Sequence, residues 1–392
     1  MSTSQVILVI LTALIFIALY TFLSFYVGNK GFHALSKVIT RKKVYWIIFW
    51  CVSFSYIIGF LVRRTAPAYS SYTTPFNIVG TYWMVALFYF ILIFPLVDLT
   101  RFFIKRLGLH NRNLYNKLKM LYANGLLVIF LVILLIGYGV INASKPVVSN
   151  YDITVNKSAK ELSSLNIAMV SDLHLGIGIT KEDLDDMVKE INSLSPDIIF
   201  LSGDIVDENT SWELIDYMST AFSNLSSKYG SYAITGNHEF SAGDFDMIEK
   251  NLTDGGITLL RDKAVKIEDS FYVIGRDDTS VKRYSDSERK AIASIDKSID
   301  KSLPIIVLDH QPSNLGEPSN FGADLQFSGH THKGQFFPNN LITKRIFESD
   351  YGYYKKDNMQ LIVSSGFGTW GSPIRIGTKS EIVHVNLIFN KE

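Results

Sequence analysis

Residues 165–174 read LNIAMVSDLH, residues 198–207 read IIFLSGDIVD, and residues 231–239 read SYAITGNHE. Each stretch opens on a short apolar run and closes on polar residues: Asp172-Leu173-His174, Gly203-Asp204-Ile205-Val206-Asp207 and Gly236-Asn237-His238-Glu239. An apolar run of that length bounded by turn residues reads as a strand buried on both faces. Asp172 lies 32 residues before Asp204, and Asp204 lies 33 before Asn237. Each gap holds one strand–helix–strand unit, which brings successive strand ends side by side.

Working outward, strands are expected at Ile167–Ser171, Asp197–Ser202, Ser231–Thr235, Phe271–Ile274, Ile305–Leu308, Asp324–Phe327, Gln360–Val363 and Ile382–Ile388. Helices are expected at Lys181–Ser193, Trp212–Leu225, Asp244–Leu252 and Ser287–Ile299. Residues 151–392 therefore read as one α/β domain. Its last third carries more strands than helices, which points to a mixed sheet or a sandwich.

Two further clusters close later strands: Asp309-His310-Gln311-Pro312 and Gly329-His330-Thr331-His332. Five of the chain's eight histidines lie in the five clusters, at the sheet edge where α/β proteins bind ligands. Taken singly, each cluster has a plainer explanation. Asp-x-His after a strand is more often a helix cap beside a surface His, and Gly-Asp-x-x-Asp a turn and an N-cap. Gly-Asn-His alone is more often a turn. Together, in order and at workable spacing, they supply oxygen and nitrogen ligands for two metal ions. A carboxylate can bridge two cations, because both its oxygens accept. Two ions about 3.5–4 Å apart can share a hydroxide and stabilise both oxygens of an in-line phosphoryl displacement. His238, beside a ligand Asn, would donate a hydrogen bond or proton to the leaving oxygen. The single cysteine, Cys51, rules out a disulfide framework or a thiolate-rich site. The donor set suits Mn, Fe, Zn or Co.

These five clusters resemble the calcineurin-like metallophosphoesterases over about residues 160–392. The sequence looks closest to a membrane-associated bacterial branch, judging by Gly334-Gln335 after the His pair and by Ser364-Ser365-Gly366-Phe367-Gly368 with Arg375. Some members of that branch cleave the pyrophosphate of UDP-2,3-diacylglucosamine. The resemblance implies a four-layer αββα sandwich around two divalent metal ions. Asp172, His174 and His332 would hold the first ion, and Asn237, His310 and His330 the second. Asp204 would bridge them, and His238 would be the catalytic acid. Asp207 would support a ligand rather than be one. Lys333 stands where the branch often has Gly; it either favours a phosphate or points to solvent. Arg375, Asp277 and Asp278 are candidate pocket walls, with hairpin and loop roles as the alternative.

Upstream, the chain changes character. Residues 1–149 carry 14 Lys/Arg against one Asp, a net of +13, whereas residues 150–392 carry 24 against 36 Asp/Glu, a net of −12. An acidic body is a poor nucleic-acid binder. Four apolar runs, Val6–Val27, Val44–Val62, Ile78–Val97 and Met120–Asn142, contain no Asp, Glu, Lys or Arg. Each is long enough to cross about 30 Å of hydrocarbon as a helix. Residues 1–142 are thus expected as a transmembrane region, with ASKPVVSN at 143–150 as a linker. Eleven basic residues fall in the connections after runs one and three. The positive-inside rule then predicts both termini outside the cytoplasm, and the resemblance to a bacterial branch implies a multi-pass protein of a bacterial plasma membrane.

After the His pair come Phe336-Phe337-Pro338, Leu341-Ile342 and Ile346-Phe347, with Lys344 and Arg345 between. This segment is either ordinary core or a loop touching the bilayer at the mouth of the site. The expected function is hydrolysis of a phosphodiester or pyrophosphate in a lipid-linked envelope substrate. UDP-2,3-diacylglucosamine hydrolysis by a cytoplasmic domain and a non-catalytic metal-binding membrane scaffold are the alternatives.

Overall fold

A computed structural model describes residues 3–65, 70–107, 125–242, 244–285 and 287–390. The chain divides into two compact units, Met1–Tyr138 and Gly139–Glu392.

The first unit is built from apolar helices: α1 (Thr3–Leu35), α2 (Lys42–Thr65), α3 (Ser70–Arg106) and most of α4 (Leu126–Ala143). All four are long and apolar enough to cross a membrane. Each covers one of the expected runs; residues 120–124 of the fourth run, and Arg112, Lys117 and Lys119, lie outside the described residues. The unit's one acid, Asp98, takes a hydrogen bond of 2.9 Å from Tyr26 Oη and an ion pair of 2.6 Å from Lys30 Nζ.

The second unit holds two six-stranded sheets. The first runs β1 (Val147–Val155), β12 (Glu381–Phe389), β2 (Ser164–Val170), β3 (Ile198–Ser202), β4 (Ser231–Ile234) and β5 (Ile257–Leu259). Strands β2 to β5 are parallel, and β12 is antiparallel to β2. The second sheet runs β10 (Gly352–Lys356), β11 (Met359–Val363), β9 (Leu325–Ser328), β8 (Ile305–Leu308), β7 (Phe271–Gly275) and β6 (Lys263–Ile267). Its four middle strands are parallel, and both edge strands are antiparallel to their neighbours.

Side-chain alternation makes the layers. Ile167 and Met169 of β2 point into one core, while Ala168 and Val170 point into another, as successive strand residues must. The first core joins the two sheets, where Phe200 of β3 meets Phe327 of β9 at a ring-centroid distance of 5.6 Å. The other lies between the first sheet and helices α5 (Lys181–Ser193), α6 (Trp212–Phe222) and α7 (Phe245–Asp254). A single turn, α8 (Val281–Tyr284), follows β7, and a third core covers the outer face of the second sheet with Ile292, Leu315 and Phe321, from α9 (Ile292–Ile295) and the turns around α10 (Gly316–Phe321). The result is the expected helix–sheet–sheet–helix stack. Thr180, Ser211 and Asp244 begin α5 to α7 by accepting backbone N–H groups of the first turn, which stops each strand–helix link at a fixed residue.

Four features correct the sequence reading. Residues 147–150 of the expected linker are strand, paired in parallel register with residues 381–384 of β12. The helix expected at Ser287–Ile299 reduces to the single turn α9, because Asp296, Asp300 and their serines bend the chain into local turns. The helix expected at Trp212–Leu225 ends at Phe222. Strands β1, β5, β6 and β10 were not anticipated; all but β5 are partly exposed along much of their length, and β5 has three residues.

Phe327 is completely enclosed between the sheets. Phe327→Ala is expected to destabilise the second unit by about 3–5 kcal/mol, measured as earlier cleavage in urea-dependent proteolysis of the detergent-solubilised chain.

Candidate metal centre

Every candidate ligand follows the carboxyl end of a parallel strand: Asp172 and His174 follow β2, Asp204 β3, Asn237 β4, His310 β8, and His330 and His332 β9. The two sheets therefore deliver their ligands to one shared edge. The backbone turns sharply to do so. Asp172, Asp204, His174, His330 and His332 all have φ between +44° and +71°, a region costly for residues with a Cβ. Five such residues in one cluster mark a place where the fold holds strain for a purpose. Two glycines leave the room: a Cβ on Gly329 would overlap the Asp172 carboxylate, and one on Gly236 the Asp204 carboxylate.

Three donor groups result among the described residues: His174, Asp204 and His238 form one, and the other two are made of candidate ligands alone. Asp172, His174 and His332 place one ligand atom each within 4.8 Å of one another, and so do Asp204, His310 and His330. His332 Nε2 lies 3.4 Å from Asp172 Oδ1 and 3.1 Å from His174 Nε2. His310 Nε2 lies 3.0 Å from Asp204 Oδ2, and that same oxygen is 3.9 Å from His174 Nε2. Asp204 thus faces both sets. Its Oδ1 accepts the backbone N–H of His238 at 2.8 Å, which fixes the carboxylate plane.

The buried atoms left without partners test whether cations fit. They include Asn237 Oδ1, His332 Nδ1 and His174 Nδ1. Buried polar atoms normally have a partner. Two imidazole nitrogens facing each other across 3.1 Å need a proton or a cation between them. A cation in the first set would take the facing Nε2 atoms of His174 and His332, one in the second would give Asn237 Oδ1 a partner, and sulfur-free donors suit hard or borderline divalent ions.

The charge states of three of the four candidate imidazole ligands agree. Burial pushes His174 down to about 3 and His330 down to about 4, and holds His332 well below the usual range. These three rings are neutral, the form that ligates metal. Burial lifts Asp172 to about 6 and, with the neighbouring charge of Asp204, lifts Glu239 to about 7. Asp204 is buried too, but His310 holds it well below the carboxylate range. Burial opposes protonation of His310, yet Asp204 outweighs it and raises that ring. For His238, burial is likewise outweighed, here by its hydrogen bond to Glu208 and by the charge of Asp204, raising it to about 9.

Two residues with important contacts were given no role of their own by the sequence. Glu208 Oε2 sits 3.2 Å from His238 Nδ1, and its Oε1 accepts from Ser241 Oγ at 2.7 Å. Glu239 is fully buried and gathers the backbone N–H groups of Asp204, Ile205 and Gly236 at 3.0, 2.5 and 2.6 Å. It ties the loop after β3 to the loop after β4. Asp207 Oδ2 is 3.9 Å from His174 Nδ1, too far for a hydrogen bond.

The two substrate-contact candidates fare differently. Arg375 is completely buried, and its Nη2 donates to the carbonyls of Ser365, Gly366 and Gly368. A guanidinium spent in this way shapes the loop behind Asp172; it does not reach substrate. Lys333 packs its Nζ 3.9 Å from the centroid of Tyr351, so its charge is already held by an aromatic face. Asp277 pairs with Arg261 at 2.9 Å and Asp278 accepts from Gln311 Nε2 at 2.8 Å. Both are structural contacts.

If Gly329 is glycine to make room for Asp172, Gly329→Ala should lower bound Mn from two per chain to one or fewer, read by mass spectrometry of the purified protein. Gly316→Ala, with open space around it, should keep both ions and serves as the control.

Comparisons with known proteins agree with this geometry. Residues 165–334 match the family model "Calcineurin-like phosphoesterase", a span that ends just past the second His of the Gly-His-Thr-His loop. A protein named "Uncharacterized metallophosphoesterase" from Aquifex aeolicus is 32% identical over 264 residues, covering 66% of this chain and 98% of that one. One of the same name from Helicobacter pylori is 33% identical over 251 residues, covering 62% of this chain. The chain spans 65% of that relative's length. A "Transmembrane protein with metallophosphoesterase domain" from Danio rerio is 28% identical, over 85% of this chain and 77% of its own. The chain belongs to the calcineurin-like metallophosphoesterase family.

Proposed function

We propose that the protein is a membrane-anchored phosphoesterase that hydrolyses a phosphodiester or pyrophosphate bond in a lipid-linked substrate, using two divalent cations. The observation that carries this reading is Asp204, whose carboxylate faces both donor sets while its other oxygen is pinned by the His238 N–H. When bound, the cations would activate water as the nucleophile and neutralise charge on the phosphoryl oxygens.

The chain's own residues do the rest. Asp172, His174 and His332 on one side, and Asn237, His310 and His330 on the other, would hold the two ions. Water attacks phosphorus, and the bond from phosphorus to the leaving oxygen breaks. His238 stands half-buried at the same edge, its ring centroid 4.9 Å from that of His174. Glu208 occupies Nδ1, which leaves Nε2 to carry the proton passed to the leaving oxygen. The Glu208 carboxylate at Nδ1 favours the protonated ring. Arg375 keeps the Ser365–Gly368 loop against Asp172 and takes no part in proton transfer.

The lipid link is supported by the four apolar helices that precede the body. The excess of basic residues in the connections after the first and third apolar runs supports a body outside the cytoplasm of a bacterial cell. On that reading, protease added to intact spheroplasts removes residues 150–392; full protection would place the body on the cytoplasmic face.

The activity is tested with full-length protein in detergent, Mn and bis-p-nitrophenyl phosphate. Wild type should turn over, and His238→Ala should lose about 100-fold or more in kcat while keeping both ions. Glu208→Gln should lose about 10-fold in kcat with KM within two-fold, because it releases the ring without removing it. Unchanged turnover in His238→Ala, or no turnover with both ions bound, would contradict the proposal.

A further inference from the structure

The helix that follows the Gly-His-Thr-His loop, α11 (Asn340–Ile346), buries none of its residues. Leu341, Ile342 and Ile346 are 55%, 56% and 68% exposed, and Phe337 just before it is 52% exposed. The sequence NLITKRI carries Lys344 and Arg345 and no acid. Four large apolar side chains presented together are not explained by folding of the body, since each forfeits roughly 25 cal/mol per Å² of burial. The ordinary-core alternative for this segment is therefore wrong.

The helix is nevertheless firmly placed. Thr343 Oγ1 donates to Asp350 Oδ2 at 2.7 Å, and Thr331 Oγ1 donates to the Asp350 carbonyl at 2.6 Å, so α11 is clipped to the loop between His330 and His332. Its capping residue Phe347 meets the His330 ring at 5.9 Å between centroids.

What covers the patch follows from where the chain enters the body. Gly139–Ala143, the last turns of α4, belong to the second unit. Gly139 O accepts from Arg375 N at 3.0 Å, and Asn142 Nδ2 donates to the carbonyls of Arg375 and Thr378 at 3.0 and 2.7 Å. The same segment pairs on its other side with the start of the patch: Ile376 N donates to Gln335 O at 3.0 Å, and Phe337 N to Ile376 O at 2.7 Å. One extended segment thus separates the end of an apolar helix from Phe337. Trp370, 60% exposed, is joined to this corner through Gln335, whose side chain bonds its backbone N–H and C=O. Apolar side chains beside a span's exit, with a Trp and two cations, match the composition of the membrane–water interface. The cations complement anionic headgroups, each worth about 1 kcal/mol near such a surface.

We infer that α11, with Phe337 and Trp370, lies in the headgroup region of the bilayer that the chain's own helices cross, and that this contact turns the mouth of the metal site toward the lipid surface. The inference rests on α4 spanning a bilayer and stands whatever bond the site hydrolyses.

The test uses the full chain in nanodiscs, one copy per disc, with Cys51→Ser and either Ile346→Cys or Thr253→Cys carrying an environment-sensitive fluorophore. Thr253 is exposed on α7, beside β5 at the sheet edge opposite β1. With 30% anionic lipid, the label at position 346 should emit at shorter wavelength and lose at least half its intensity to brominated lipids, while the label at 253 should not. Adding Lys344→Glu and Arg345→Glu should cut that quenching at least two-fold. Equal, weak quenching at both positions would overturn the inference. So would efficient cross-linking between two chains at position 346 in discs holding two copies, because a second chain would then cover the helix.

Discussion

Three carboxylates, Asp172, Asp204 and Glu239, are almost fully enclosed within one small volume of this protein. Burying one ionised carboxylate costs several kcal/mol even after relaxation, and like charges at close range cannot all persist. The fold eases the problem in two ways. Backbone N–H groups converge on Glu239, and the His310 ring sits against Asp204. What those groups leave undone, divalent cations would complete: bound ions are the largest local charges in such a site and reverse the pKa logic of their neighbours. Asp204 is where both demands meet, because its two oxygens serve the two donor sets and the His238 backbone.

The architecture follows from that requirement. Parallel strands end at one edge, and two sheets packed face to face bring five such ends together. Positive-φ turns then aim side chains inward instead of continuing along the strand. Glycine stands where a Cβ would collide with the carboxylates. Farther out, Glu239 and Arg375 hold the loops by gathering backbone groups, N–H for the acid and C=O for the cation. Neither needs to approach a reacting atom to matter.

The candidate ligands were legible because each lies within a few residues of a strand end, and a strand buried on both faces announces itself as an unbroken apolar run such as IIFLS. Edge strands announce little. β1 alternates polar and apolar residues beside a proline and reads as a tether, and β10 is five residues of Gly, Tyr and Lys. The direction of a loop side chain is set by tertiary partners, which explains Arg375 and Lys333: a buried carbonyl cage claims one and the Tyr351 ring the other. Glu208 follows the Gly-Asp-x-x-Asp motif directly, but only the return of the chain at Gly236-Asn237-His238 makes it a partner of the imidazole.

A pair of cations bridged by one carboxylate has a direct spectroscopic signature. Full-length protein loaded with Mn(II) should give, at low temperature, the multi-line electron paramagnetic resonance spectrum of an exchange-coupled pair, and Asp204→Asn should replace it with uncoupled six-line ions. A wild-type protein with both ions bound that shows only isolated Mn(II) would contradict the account, since the two donor sets would then not share Asp204.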